Sequence, residues 1–347
     1  HPCPEKSARE IKASPFFQNV RKNRVTMNIL FAPLQGYTTG IYRKAHAEIF
    51  GGVDAYYAPF LRIENGKPRE KDLRDLEVSN PQHSNPEKPA CAITVPQIIA
   101  NSVDEFKVLT EVLLQKGFTQ IDFNMGCPFP MQVNRHRGAG LLSDAQTVKV
   151  IMDEIAQLSA TGAARFSVKM RLGQSSPDEA FALLPILNDT PLTQITLHPR
   201  LGKQQYKGAI DIKSFEKFYS ECHHPLVYNG DISSVSQICE MERRYPKLAG
   251  IMIGRGLLAQ PSLAAEYKAG KANITGKEFT DKLLQMHEII FEYACKTYQG
   301  DSQILSHVQS FWDYLEPSLP KKTFKKIQKA GKLSEYQEAI IEMRALS

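Results

Sequence analysis

Eight short apolar or β-branched runs, near residues 28–32, 53–58, 92–96, 119–123, 166–170, 194–198, 225–229 and 249–253, alternate with stretches long enough for a helix. This alternation constrains the fold more than any other feature of the chain. Strands that alternate with helical segments pair in parallel and carry their helices outside, and eight of them close into a barrel. Two intervening segments open on capping residues: Asn101-Ser102 precedes a helical pattern over 103–115, and Ser143-Asp144 one over 145–158. The expected fold class is α/β: a TIM (β/α)8 barrel over residues 27–262, followed by a C-terminal helical domain over 263–347 with segments at 277–298, 304–315 and 334–346. At 347 residues the chain holds a barrel of roughly 250 residues and such an appendage.

In a barrel of this kind the chemistry lies at the C-terminal ends of the strands. The residues there are Ala32-Pro33-Leu34-Gln35-Gly36, Ala58-Pro59-Phe60, Pro96-Gln97, Asn124-Met125-Gly126-Cys127-Pro128, Lys169-Met170-Arg171, His198-Pro199-Arg200, Asn229-Gly230-Asp231 and Gly254-Arg255-Gly256. Core packing would place Val, Ile and Leu at such positions, so donors and glycines converging on one mouth point to a bound ligand. Glycines after the seventh and eighth runs let backbone approach a phosphate, and Arg255 can add a charge-assisted hydrogen bond. Gln97 and Lys169 suit the pyrimidine edge and the N1/O2 end of an isoalloxazine, where negative charge gathers on reduction. The run 166–168 is expected to direct Lys169 into the barrel, with His198 at equivalent depth one strand later.

Composition narrows the class. A hydrophobic content of 42% with 23% charged residues, and no apolar run of about 18 residues, argue against a membrane enzyme. The cysteines at 3, 91, 127, 222, 239 and 295 form no C-x-x-C pair, so neither a zinc ribbon nor an iron–sulfur cluster is suggested, no metal is expected, and a reducing cytoplasm is the simplest location. The net charge of +6 is mild; residues 1–26 hold six Lys/Arg against two Glu. With no apolar h-region they do not read as a secretory signal; because the first strand follows Met27 directly, they are expected to be a leader or extension outside the fold.

Cys127 is the chemical focus. It follows the fourth run, and the glycine-rich Arg137-Gly138-Ala139-Gly140 comes soon after, so the segment reads as a mobile active-site loop. A thiol with an ordinary pKa near 8.5 is mostly protonated at neutral pH and can act as a general acid. Reduction of an activated C=C bond needs one, because hydride reaches one carbon and a proton must reach the other. Cys91, Cys222, Cys239 and Cys295 are expected to be inert and buried.

These stretches resemble the tRNA-dihydrouridine synthases. The matching motifs are A-P-L-Q-G-Y at 32–37, N-M-G-C-P at 124–128, R-G-A-G at 137–140, V-K-M-R-L-G at 168–173, L-H-P-R at 197–200, Y-N-G-D-I at 228–232 and I-G-R-G at 253–256. The NGD-like and GRG-like loops recur among flavin barrels generally; N-M-G-C-P followed by R-G-A-G is more specific. The resemblance implies FMN held by Pro33, Leu34, Gln35, Gln97, Asn124, Lys169, His198, Asn229, Gly230, Asp231, Gly254 and Arg255. It also implies NADPH as electron donor and Cys127 protonating C5 of uracil. Pro199 departs from the family, which more often has Gly or Ala there.

The last third of the chain carries a second signal. Lys321, Lys322, Lys325, Lys326, Lys329 and Lys332 fall within 317–332 with no acidic residue among them, interleaved with Phe324. Such a run is often a solvated helix face, but beside the resemblance it marks a phosphate-binding surface, with Lys322, Lys325 and Lys326 as its expected contacts. Arg135, Arg137, Arg171 and Arg200 are the expected contacts nearer the chemistry, where a uridine must be extruded from folded tRNA. The expected partner is tRNA and the expected state a monomer. Two other readings are an FMN-dependent reductase of a small pyrimidine or enone, which would not need the basic tail, and a non-enzymatic RNA-binding module, which would not need Cys127.

Overall fold

The computed structural model describes residues 26–78, 93–270, 274, 276–315 and 318–346, so the expected extension over 1–26 lies almost entirely outside the described residues. All eight expected strands are present: β1 (Asn28–Phe31), β2 (Ala55–Tyr57), β3 in two arms (Ile93–Val95 and Gln97–Ile98), β4 (Gln120–Met125), β5 (Arg165–Gly173), β6 (Gln194–Leu201), β7 (Leu226–Tyr228) and β8 (Gly250–Ile253). They run parallel in the order β2-β1-β8-β7-β6-β5-β4, and the arms of β3 complete the ring, the first pairing with β2 and the second with β4. Pro96 joins the arms. It has no N–H to lose, and its carbonyl accepts from the Asp122 backbone N–H at 2.9 Å.

β5 and β6 run beyond their expected ends. Pairing continues through Arg171 opposite His198 and, after an irregularity in register, Gly173 opposite Leu201. Lys169, Arg171, His198 and Arg200 therefore stand on paired strand rather than in loops. Alternation along β5 also revises the expectation for 166–168: Phe166 and Val168 join the main core, whereas Lys169 lines the interior cavity. The inward face is thus Ser167-Lys169-Arg171, which period-two geometry requires once one member is inside. The barrel interior divides in the same way. Leu30, Ala32, Tyr57, Val95, Val227 and Met252 form a small apolar layer from β1, β2, β3, β7 and β8, while β4, β5 and β6 turn polar side chains inward.

The helices follow as α1 (Gly40–Ile49), α2 (Glu70–Val78), α3 (Val103–Gln115), α4 (Pro130–Val133), α5 (Ala145–Ala160), α6 (Asp178–Asp189), α7 (Ile212–Glu221), α8 (Val235–Arg244), α9 (Arg255–Ala259), α10 (Leu263–Ala269), α11 (Gly276–Thr297), α12 (Asp301–Val308), α13 (Lys321–Lys329) and α14 (Leu333–Leu346). Both expected caps form: Ser102 accepts from the Glu105 N–H and Asp144 from the Thr147 N–H. The segment expected as one helix over 304–315 is instead α12 followed by a 3-10 turn at Gln309–Trp312. The helical region shares the barrel's hydrophobic core. Phe279 on α11 meets Phe50, and Phe311 meets Tyr42 of α1, each pair with ring centroids 6.2 Å apart. No helix among the described residues is long and apolar enough to cross a membrane.

Candidate active site

The C-terminal ends of the strands surround a cavity of about 460 Å³. All twelve residues expected to hold a cofactor line it: Pro33, Leu34, Gln35, Gln97, Asn124, Lys169, His198, Asn229, Gly230, Asp231, Gly254 and Arg255. Cys127 and Arg171 line it too.

On one side a buried chain of hydrogen bonds ends at the cysteine. Ser167 Oγ donates to Asp122 Oδ1 at 2.6 Å, and Gln97 Nε2 donates to Asp122 Oδ2 at 2.7 Å. Asn124 Nδ2 donates to Gln97 Oε1 at 2.7 Å, and Asn124 Oδ1 accepts the N–H groups of Gly126 and Cys127 at 3.0 and 2.9 Å. Strand register makes the chain possible, since Gln97 stands opposite Asp122 and Asp122 opposite Ser167. Burial pushes the Asp122 carboxyl up to about 6, and the bonds from Gln97 and Ser167 pull it back only in part. Asp122 and Ser167 are absent from the sequence-based site. The available signal was a carboxylate inside the apolar strand Gln-Ile-Asp-Phe-Asn-Met, a placement that requires a partner.

Burial also raises the Cys127 thiol above its ordinary range, against smaller opposing effects of a Phe129 backbone bond and of Arg171, Lys169 and Arg62. The thiol is therefore protonated at neutral pH. Its loop is folded back rather than open: the Ala139 N–H donates to the Cys127 carbonyl at 3.0 Å, and a Cβ on Gly138, at φ +59°, would lie 2.7 Å from that oxygen. Arg137, expected at the RNA, instead holds this loop. It is buried, paired with Glu105, and donates to the Ile63 carbonyl at 3.3 Å. Arg135 is exposed on the same loop.

The cavity floor is cationic. Lys169 makes no hydrogen bond or salt bridge to a described residue, and burial, helped by Arg171, brings its ammonium down to about 8. Arg171 is fixed by donating to the carbonyls of Gly126, Leu201 and Gln205, and burial lowers it to about 10, so it stays charged. His198 is held well below its ordinary value by burial and by Arg171, and is neutral.

On the opposite side Asp231 binds both Arg200 and Arg255, the latter at 2.9 Å. The bond from Arg200 holds the Asp231 carboxyl below its usual value. Arg200 is buried and also donates to the Gly208 carbonyl, so it orients Asp231 instead of facing RNA. Asn229 Nδ2 donates to the Met252 carbonyl at 2.8 Å, tying β7 to β8, and a Cβ on Gly256 would lie 2.0 Å from the Ile232 carbonyl. These loops can approach each other only with glycine at 256.

Two lining aromatics had no sequence signal. Tyr206 packs between Arg171 and Arg255, with their guanidinium carbons 5.5 and 4.9 Å from its ring centroid, and Tyr314 comes from the helical region. In that region Lys322 and Lys325 are exposed on α13, whereas Lys326 pairs with Glu342. Among the other cysteines, Cys222 and Cys239 are half-buried, and Cys295, expected to be buried, is exposed on α11; Cys91 lies outside the described residues.

The donor set fits a flavin mononucleotide. The Lys169 ammonium, not hydrogen-bonded to any described residue, and a Gln–Asn amide pair face one end of the cavity, and glycine loops with Arg255 face the other. The volume is in the range of small-cofactor sites. Barrel, cationic floor and protonated thiol together define an oxidoreductase of the (β/α)8 class.

Comparison with known proteins narrows this further. The chain belongs to the dihydrouridine synthase (Dus) family, whose model matches residues 30–346. Similar curated proteins include the tRNA-dihydrouridine(16) synthase of Haemophilus ducreyi, 24% identical over 301 residues covering 84% of this chain and 87% of that protein. The tRNA-dihydrouridine(16) synthase of Pseudomonas syringae pv. tomato is 26% identical, covering 86% and 92%. A probable tRNA-dihydrouridine synthase of Staphylococcus epidermidis is 29% identical, covering 76% and 77%. Among solved structures, morphinone reductase superposes with a TM-score of 0.50 at 10% identity, covering 73% of this chain and 88% of that one. Histamine dehydrogenase from Rhizobium sp. 4-9 gives 0.51 at 12% identity, covering 80% and 50%. Likeness at these identities concerns the fold alone.

Proposed function

We propose that this chain is a tRNA-dihydrouridine synthase of the cytoplasm that binds FMN, takes electrons from NADPH and reduces the C5=C6 bond of a uridine in tRNA. The observation that carries the reading is a buried, protonated thiol on the same cavity as a lysine that makes no hydrogen bond or salt bridge to a described residue. FMN, when bound, supplies the hydride that forms the new bond at C6.

The protein's own groups do the rest. Gln97 and Asn124 would meet the pyrimidine edge of the ring system, Lys169 its N1/O2 end, and the loops at Asn229–Asp231 and Gly254-Arg255 its phosphate. The Cys127 S–H bond breaks as a C–H bond forms at uracil C5, leaving a thiolate. Arg171 and Lys169, whose charges already favour that anion, stabilise it until solvent returns the proton. Asn124 fixes the Cys127 backbone through the bonds described above, so the proton is delivered from one position. Arg171 would meet the uridine itself, with Arg135, Lys322 and Lys325 on its flanking phosphates.

The deciding experiment mixes holoprotein, NADPH and tRNA from cells lacking this protein, then maps dihydrouridine in the product. Dihydrouridine at a defined position is expected. A colourless protein, or NADPH-dependent reduction of free uracil but not of tRNA, would overturn the reading.

A further inference from the structure

A short run of side chains that the reaction does not use joins the lysine helix to the cofactor cavity. Gln328 is on α13, and its Nε2 donates to Asp313 Oδ1 at 3.0 Å. The other oxygen of that carboxylate accepts from Tyr37 Oη at 3.2 Å. Tyr37 closes the turn of Leu34, Gln35 and Gly36: its N–H donates to the Leu34 carbonyl at 3.0 Å, and Gly36 has φ +84°. The Tyr37 ring meets Tyr314 edge-on with centroids 5.2 Å apart, and Tyr314 lines the cavity together with Leu34 and Gln35.

The far end is tied as well. Gln309 Nε2 donates to the carbonyls of Ile327 and Ala330 at 3.1 and 2.9 Å, where α13 ends. Segment 309–314 is thus bonded to the lysine helix at two points and to the first cavity loop at a third. A displacement of α13 would be passed to that loop, because both Gln328 and Tyr37 bond the same carboxylate.

We infer that Asp313 is a positioning residue that couples polyanion binding on α13 to the setting of the 33–37 turn against the cofactor. The inference rests on α13 being an RNA-phosphate surface. RNA held by Lys322 and Lys325 would bias α13, Asp313 would carry that bias to Tyr37, and the cavity would adopt its working geometry only when substrate is docked.

The test uses the FMN-loaded protein with unfractionated tRNA, as wild type, Asp313→Ala and Tyr37→Phe. Four quantities are read: tRNA affinity, hydrogen exchange of the amides at 34–38 with and without tRNA, the circular dichroism of the bound flavin, and the single-turnover rate at saturating tRNA. In wild type, tRNA is expected to change both the exchange and the dichroism. In Asp313→Ala and Tyr37→Phe those responses should vanish while tRNA affinity stays within about twofold, and single-turnover reaction at saturating tRNA should slow about tenfold. Tyr37→Phe removes one oxygen and keeps the ring, so it decides the matter even if Asp313→Ala folds poorly. Responses that persist in both variants would overturn the coupling, as would loss of FMN or of tRNA affinity in Tyr37→Phe, which would make the contact a structural anchor. If wild type binds no tRNA, or reversing the charge of Lys322 and Lys325 leaves affinity unchanged, the reading of α13 fails and the coupling falls with it.

Discussion

The buried polar network at the barrel mouth and the one in the helical tail are built to different ends. In the tail, Trp312 Nε1 donates to Tyr336 Oη at 2.8 Å, and that hydroxyl lies 2.7 Å from His287 Nε2, which it can donate to when the imidazole is neutral. All three residues are buried, and none lines the cavity. At the mouth, the run from Ser167 through Asp122, Gln97 and Asn124 ends on the Cys127 backbone, and Gln97, Asn124, Cys127 and Lys169 all keep a face on the cavity. Burial of polar groups therefore does not separate function from structure here. What separates them is bonding capacity left facing a space that a ligand can enter.

The sharpest way to break this comparison is Cys127→Ala. FMN retention and flavin reduction by NADPH should match wild type, because neither uses the thiol. Reaction of the reduced protein with unmodified tRNA in a single turnover should slow by about 10²–10⁴. Cys127→Ser should recover little, since a hydroxyl is a far weaker acid. Wild-type rates in Cys127→Ala would place the mouth network in the same structural class as the tail's.

The second prediction concerns the tail network and acid. Burial lowers the His287 imidazole from 6.5 to about 3, so the folded chain keeps it neutral over a range in which the unfolded chain protonates it. A depressed base contributes stability that is complete above about pH 6.5 and is lost as pH falls toward 3. At 1.36 kcal/mol per unit the difference is on the order of 4–5 kcal/mol at most. His287→Gln, whose amide oxygen can still accept from Tyr336, should flatten the acid limb of a stability-versus-pH curve relative to wild type. Asp122 at the mouth has the opposite sign: its carboxyl is raised from 3.8 to about 6, so its contribution is greatest below pH 3.8 and is lost as pH rises through 6. The tail is tuned for neutral pH, and the mouth keeps a carboxylate buried there at a cost. An unchanged acid limb in His287→Gln would remove the contrast.

The same contrast governs how much of the molecule was legible in its sequence. A parallel barrel brings every strand end to one mouth, so the β/α rhythm placed residues scattered from 33 to 255 together; the family resemblance singled out twelve of them as cofactor contacts, and all twelve line the cavity. Asp122 was missed because it lies one register position below the strand end, where only three-dimensional pairing with Gln97 and Ser167 shows its role. Arg137 was misassigned because its charge is visible in the sequence while its partner, Glu105, is 32 residues away on α3. Tyr314 could not be found at all, since its place at the mouth depends on how the helical tail packs on α1. His287, Trp312 and Tyr336 are likewise joined across helices, with no spacing rule to announce them.

The smallest expected effect tests the tail's outer face. Reversing charge at Lys322, Lys325 and Lys326 should weaken tRNA binding and lower its salt slope, while NADPH-driven reduction of the flavin stays as in wild type. Removing one lysine–phosphate pair lowers the slope of log affinity against log salt by about 0.7–0.9. Lys326 already neutralises Glu342, so most of the change should come from Lys322 and Lys325, and reversal at Lys326 alone should act mainly by setting two acidic groups against each other. Comparing the single variants Lys325→Glu and Lys326→Glu separates the two causes: the first should change the salt slope, the second the stability of the α13–α14 packing. An unchanged slope in the triple variant would make α13 a solvated face and move the RNA toward Arg135 and the Cys127 loop.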